Sequence, residues 1–189
     1  MAAPPGETTN ALIGIFRLAR LDAGGIECFR NTPGAFWRSF KVALIIAPFY
    51  AGLLGMRYAM GEVSTPPLRF IAVETIAYTI AWLAFPVIVE PICRTMGRSD
   101  KYLRFIIAYN WAGLLQNMLY LPLAMLSVTA VLPPDSGGVF GLIILLVIMA
   151  FTWFIAKTAL QIAASRAAAI VAIDFAISLL INGYAEKML

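Results

Sequence analysis

The chain has 189 residues, 61% of them apolar and only 13% charged, where an ordinary soluble domain is about 45–50% apolar. At a mean hydropathy of +0.85 there is too little polar surface to coat a water-soluble globule, so a bilayer is the expected solvent. Histidine is absent, which removes imidazole-ligated metals, histidine-based triads and haem on a proximal histidine, and with them most enzyme chemistry; no cofactor is expected.

The net charge of +4 suits orientation in a membrane better than binding to nucleic acid, which is not expected as a partner. Cys28 and Cys93 lie 65 residues apart without a CxxC pair, and free thiols are favoured over a disulfide. The first ten residues hold two prolines and no Lys or Arg, unlike a signal peptide, so insertion is expected to depend on the first span.

Residues 9–22 predict a helix with Thr8 or Thr9 as N-cap and Gly24-Gly25 as its end. Leu12, Ile15, Phe16, Leu18, Ala19 and Leu21 share one face, and Asn10, Arg17 and Arg20 fall on the other. Too short to span, this helix is expected to lie in the headgroup plane with its arginines toward anionic lipid; packing on protein is the alternative. Residues 1–35 thus form a cytoplasmic N-terminal segment ahead of a transmembrane domain, residues 36–189. Asn31-Thr32-Pro33-Gly34 reads as a turn, and Phe36, Trp37, Arg38, Phe40 and Lys41 as an aromatic, basic entry to the membrane.

Four apolar stretches are long enough to cross about 30 Å of hydrocarbon, near 42–60, 70–93, 105–131 and from a turn at Pro133–Gly138 to Ala156. From Val139 to Ile181 there is no proline and one glycine; a single helix of that length would measure about 65 Å. A break is therefore expected between Lys157 and Arg166, with a short fifth span at 167–182; an interfacial placement of that segment is the four-span alternative. Placing the amino terminus inside puts eleven Lys and Arg on the cytoplasmic side and three outside. The fold expected is an all-α polytopic membrane bundle of about five transmembrane helices behind an amphipathic interfacial helix, in a bacterial inner membrane.

Polar groups inside spans need partners, water or neutralisation. Asp174 and Asn117 lie at similar depth and read as partners, either gluing helices or serving a proton or ion. Glu74, Tyr78, Trp82, Pro86 and Glu90 follow at i, i+4 steps and are expected to face protein. Glu90 is expected to bridge to Lys157 or Arg166, and Glu74 to reach water near the outer surface. Asn110, Gly113, Asn117 and Tyr120 share a face of the third span, with Gln116 beside them. Pro48, Pro86 and Pro122 are expected to kink or break their helices. Arg17, Arg20, Arg98, Lys101 and Arg104 are the basic residues expected to face lipid headgroups.

The order of these features, with the segment MGRSDKYLRFIIAYNW before the third span, resembles the Yip family, Rab-interacting trafficking proteins with bacterial relatives. The resemblance covers residues 36–183 and implies a role in organising membranes or binding other membrane proteins. The short N-terminal segment departs from the long cytosolic arms of eukaryotic members. Two functions are therefore expected as alternatives. One is a scaffold, accessory subunit or membrane-organising factor that contacts anionic headgroups and other membrane proteins or copies of itself. The other is a transporter or channel component using Asp174 and Asn117.

Overall fold

The computed structural model describes residues 6–129, 131 and 134–189, the side chains of 134–136 excepted. The chain forms α1 (Glu7–Ala19), a short 3-10 helix (Ala23–Cys28), α2 (Pro33–Ser39), α3 (Lys41–Ala59), α4 (Pro67–Thr95), α5 (Ser99–Val128), α6 (Pro134–Leu160) and α7 (Ala164–Met188), with no strand among the described residues. Among the described residues, five segments are long and apolar enough to cross a membrane, the first being α2 and α3 together. The protein is an all-α integral membrane bundle. At 25 residues, α7 is about 37 Å long, so it has the reach to span.

Residues with large exposed apolar side chains, such as Leu44, Leu68 and Val87, sit on the outside of these helices, as expected when the surroundings are lipid rather than water. The prolines leave the helices unbroken: Pro48, Pro86 and Pro122 all lie inside continuous helices, because the intervening turns keep their remaining hydrogen bonds. The turn expected at Pro133–Gly138 begins outside the described residues, and from Pro134 onward the chain is already α6.

Helix ends follow one device. At Gly97 (φ +66°) the Gly97 N–H donates to Arg94 O and the Arg98 N–H to Cys93 O, at 3.0 and 2.8 Å, a Schellman stop. Gly61 closes α3 in the same way, with its own N–H on Tyr58 O and the Glu62 N–H on Arg57 O. Leu21 and Gln161 take left-handed φ values of 60° and 51° without being glycine. Gln161 ends α6 within the interval anticipated from the uninterrupted apolar run, and the Trp153 indole N–H then donates to Ala164 O across the turn at 3.0 Å.

The five long helices form a ring: α3 packs on α5, α5 on α6, α6 on α7 and α7 on α4. The ring closes where the Tyr78 hydroxyl of α4 donates to the Ala43 carbonyl of α3 at 2.6 Å. The near end, defined by α1, α2 and the Gly97 and Gln161 turns, is filled by Phe85, Phe105, Ile155 and Ile170.

The N-terminal segment closes the near end. Its cap is not Thr8 or Thr9: helix α1 starts at Glu7 after Gly6, with no side-chain cap. Thr8 instead accepts a hydrogen bond from the Lys41 ammonium. The apolar face of α1 divides: Ile15 and Leu18 are fully buried against the 3-10 helix and α5, while Phe16 and Leu21 are exposed. The physical reason is the glycine pair Gly14 and Gly25. A Cβ on Gly25 would stand 2.6 Å from Gly14 O, so only glycine permits this approach. The expected turn at 31–34 is also shorter than its sequence suggests, because Thr32 caps α2, its Oγ1 accepting from the Ala35 N–H at 3.3 Å, and Pro33 takes the first helical position.

Two ion pairs fasten this segment. Arg38 grips Glu7 through Nε and Nη2 at 3.0 and 2.6 Å, and Arg17 meets Asp22 at 2.6 Å. The hydrogen bond from Arg38 holds the Glu7 carboxyl below its usual range, and Arg17 with the Gly24 N–H does the same for Asp22. Carboxyls depressed by folding stabilise above their unfolded pKa, and that contribution disappears as pH falls through the lower folded value. Acidification below the ordinary carboxylate range is therefore expected to loosen α1. The effect is small because these pairs are exposed, and it would be read as lost hydrogen-exchange protection in α1 after correction for intrinsic rates. Unchanged protection would show that the glycine-mediated packing alone holds the helix.

Candidate functional site

The ring is filled at the near end but open at the far end, where a cavity of about 710 Å³ enters between α3, α4, α5, α6 and α7. It reaches inward to Tyr109, and its rim includes Arg57 and Glu186. The helices create it by turning polar and small residues inward: Tyr50 and Arg57 lie two turns apart on α3, and Gly137 and Gly141 begin α6.

The wall divides into linked polar groups. On one side the Tyr50 hydroxyl donates to Glu74 Oε2 at 2.9 Å, while Arg57 stands 3.7 Å from Glu74 Oε1 and 3.3 Å from Glu62. Tyr50 stacks on Tyr78 with ring centroids 5.2 Å apart, and Trp82 follows at 6.3 Å from Tyr78. Trp82 fits because position 113 is glycine, where a Cβ would lie 3.3 Å from the indole. On the other side, Gln116 donates to Thr152 Oγ1 at 3.0 Å and Asn117 to Gly113 O at 2.8 Å. At the inner end the Tyr109 hydroxyl donates to Asp174 Oδ1 at 2.8 Å.

Several sequence expectations are corrected here. Asp174 is not paired with Asn117; Tyr109 is its partner, because equal depth along two helices says nothing of how each is rotated about its axis. Glu74 does not simply reach water: its side chain is 7% exposed and held by Tyr50 and Arg57. Glu90 pairs with Arg94 one turn on, at 2.8 Å, since an i, i+4 neighbour is always within reach. Lys157 lies over the Trp153 ring at 5.0 Å, and Arg166 is exposed; neither meets Glu90. The basic residues expected to face lipid headgroups divide. Arg17 is tied to Asp22, and Arg20 is exposed. Arg98 and Lys101 donate to the carbonyl and side-chain oxygens of Gln161, so this loop clasps the α6–α7 turn, while the Arg104 backbone N–H donates to Asn31 of the N-terminal segment.

Glu74, Gln116 and Asn117 thus come together on the cavity wall, with Asp174 directly behind it. Asn110 lies toward the near end, fully buried, donating to Ser39 Oγ at 2.8 Å. The sequence reading missed Tyr50, Arg57, Tyr109, Ser178, Asn182 and Glu186. A signal for three of them existed: Asp174, Ser178, Asn182 and Glu186 repeat at i, i+4 along α7, the same row that marked the second span.

The Tyr109–Asp174 bond gives a bounded expectation. Interhelical hydrogen bonds in membranes average about 0.6 kcal/mol and reach about 1.7, so Tyr109→Phe and Asp174→Asn should each cost within that range. A double-mutant cycle on unfolding in detergent should show coupling between positions 109 and 174 and none between 117 and 174. Coupling of 117 to 174 would restore the original pairing.

Among the described residues no group of three or more His, Cys, Asp or Glu side chains is placed to hold a metal ion. Both cysteines are free thiols, Cys93 buried and Cys28 partly so. No protein-family model, no curated protein and no solved structure matches the chain.

Proposed function

We propose that this integral membrane protein holds a small polar solute in the far-end cavity, as a transporter or channel component. The observation that carries this reading is the cavity itself: a recess within the size range of ligand sites, about 300–1,000 Å³, lined by charged, amide and tyrosine groups within helices that otherwise face lipid. Placing so much polarity inside the hydrocarbon is costly unless water or a solute occupies it. The near end, which carries most of the arginines and lysines, faces the cytoplasm of a bacterial inner membrane in this proposal, and the cavity opens outward.

Single cysteines in a Cys28→Ser, Cys93→Ala background test it in intact membranes. Ser178→Cys on the cavity wall is expected to react with a charged, membrane-impermeant thiol reagent, and Leu146→Cys on the outer surface of α6 is not. A silent position 178 in a folded variant would remove the cavity from contact with water and sink the reading.

The scaffold reading keeps one observation of its own. Phe16, Leu21 and Trp37 are exposed at the near end beside the exposed Arg20 and Arg30, a combination suited to a headgroup surface. It concerns the opposite end of the molecule and is compatible with a solute site at the far end.

A further inference from the structure

We propose that the far-end cavity selects an organic cation, a small amine or quaternary ammonium bearing an apolar group. This rests on the cavity being a solute site and goes on to name the solute's chemistry.

Charge is the first argument. Among the described residues the cavity wall carries one guanidinium, Arg57, against the carboxylates of Glu74 and Glu186, with Glu62 beside Arg57 and Lys187 next to Glu186. Arg57 already stands between Glu62 and Glu74, at 3.3 and 3.7 Å, so its charge is compensated within the protein and the wall remains negative. An anionic solute would meet this excess and would have to displace one of those carboxylates.

Hydrogen-bond inventory is the second. Tyr50, Tyr78 and Tyr109 donate their hydroxyl protons to Glu74, Ala43 O and Asp174. Gln116 and Asn117 donate to Thr152 and Gly113 O, and Ser178 donates to Asp174 O at 3.0 Å. Each of these groups thus directs one donor into protein, leaving tyrosine lone pairs, amide oxygens and the Glu186 carboxylate as acceptors beside the second amide hydrogens of Gln116 and Asn117 and the polar ends of Tyr120 and Asn182. A solute that fits such a wall brings donors or positive charge.

Aromatic side chains are the third. Tyr50, Tyr78, Trp82, Tyr109 and Tyr120 all border the space, and aromatic faces attract cations most strongly where water is scarce. The apolar part of the solute would lie against Leu53, Leu54 and Ala77.

The test uses the full chain in lipid nanodiscs and three probes of the same shape class: benzyltrimethylammonium, its neutral carbon isostere neopentylbenzene, and anionic benzenesulfonate. The expected result is saturable binding of the ammonium by calorimetry, at least about 10-fold tighter than either other probe. Glu186→Gln, at an exposed helix end, and Tyr120→Leu are each expected to weaken it by a few-fold or more while leaving thermal unfolding near wild type. Equal binding of the three probes, tighter binding of the sulfonate, no binding of the ammonium, or ammonium binding unchanged in both variants would overturn the inference. Cavity hydration is read separately by the reactivity of Ser178→Cys. A reactive position 178 with no ammonium preference rejects the cation alone, and an unreactive one rejects the solute site.

Discussion

Arg57→Ala is expected to cost about 3 kcal/mol, and adding Glu74→Gln to it should recover most of the loss. Glu74 is almost fully enclosed, and besides the Tyr50 hydroxyl its neighbour of opposite charge is Arg57, 3.7 Å away. Removing one member of a buried pair leaves an uncompensated charge in low dielectric, which costs about 3–5 kcal/mol, whereas removing both charges together is often close to neutral. The guanidinium is 28% exposed, so the lower end of that range applies. Unfolding of single and double variants in detergent supplies the comparison. A single variant within about 0.5 kcal/mol of wild type would mean that Glu74 does not depend on Arg57, and the charge argument for the cavity would weaken with it.

Gly25→Val should release the N-terminal segment while leaving the five-helix ring assembled. The added Cβ would sit 2.6 Å from Gly14 O, 2.9 Å from Arg17 Cβ and 3.0 Å from Leu18 Cγ. The first two are backbone or backbone-proximal atoms that cannot swing aside, so the 3-10 helix must move off α1. Overpacking of this kind costs about 1–3 kcal/mol. What separates with it is the local packing of Ile15, Leu18 and Phe29, buried in the wild type. Trypsin cleavage after Arg20 and Arg30 should accelerate by about 10-fold or more, because proteolysis follows the population of the opened state. Cys93, a buried residue of α4, should keep its wild-type resistance to thiol reagents and so report that the ring is intact. Unchanged cleavage would show that residues 23–28 do not depend on the glycine contact.

These two cases separate what local pattern reveals from what it does not. Local pattern alone carried the solvent, about five helices able to span and a break between Lys157 and Arg166, because hydropathy and the 1.5 Å rise per residue are properties of one segment at a time. It also singled out Glu74, Gln116, Asn117 and Asp174 as groups that needed an explanation, since burying polarity in hydrocarbon is costly wherever it occurs. Which of these groups meet is a matter of packing between helices. Asp174 found Tyr109 instead of Asn117, Glu90 found Arg94 instead of Lys157 or Arg166, and Ile15 and Leu18 of α1 found protein instead of lipid. Each outcome depends on how helices are rotated about their axes and how closely two backbones approach, as at Gly14 and Gly25. Those quantities are set by packing between distant segments, so no window along the chain contains them.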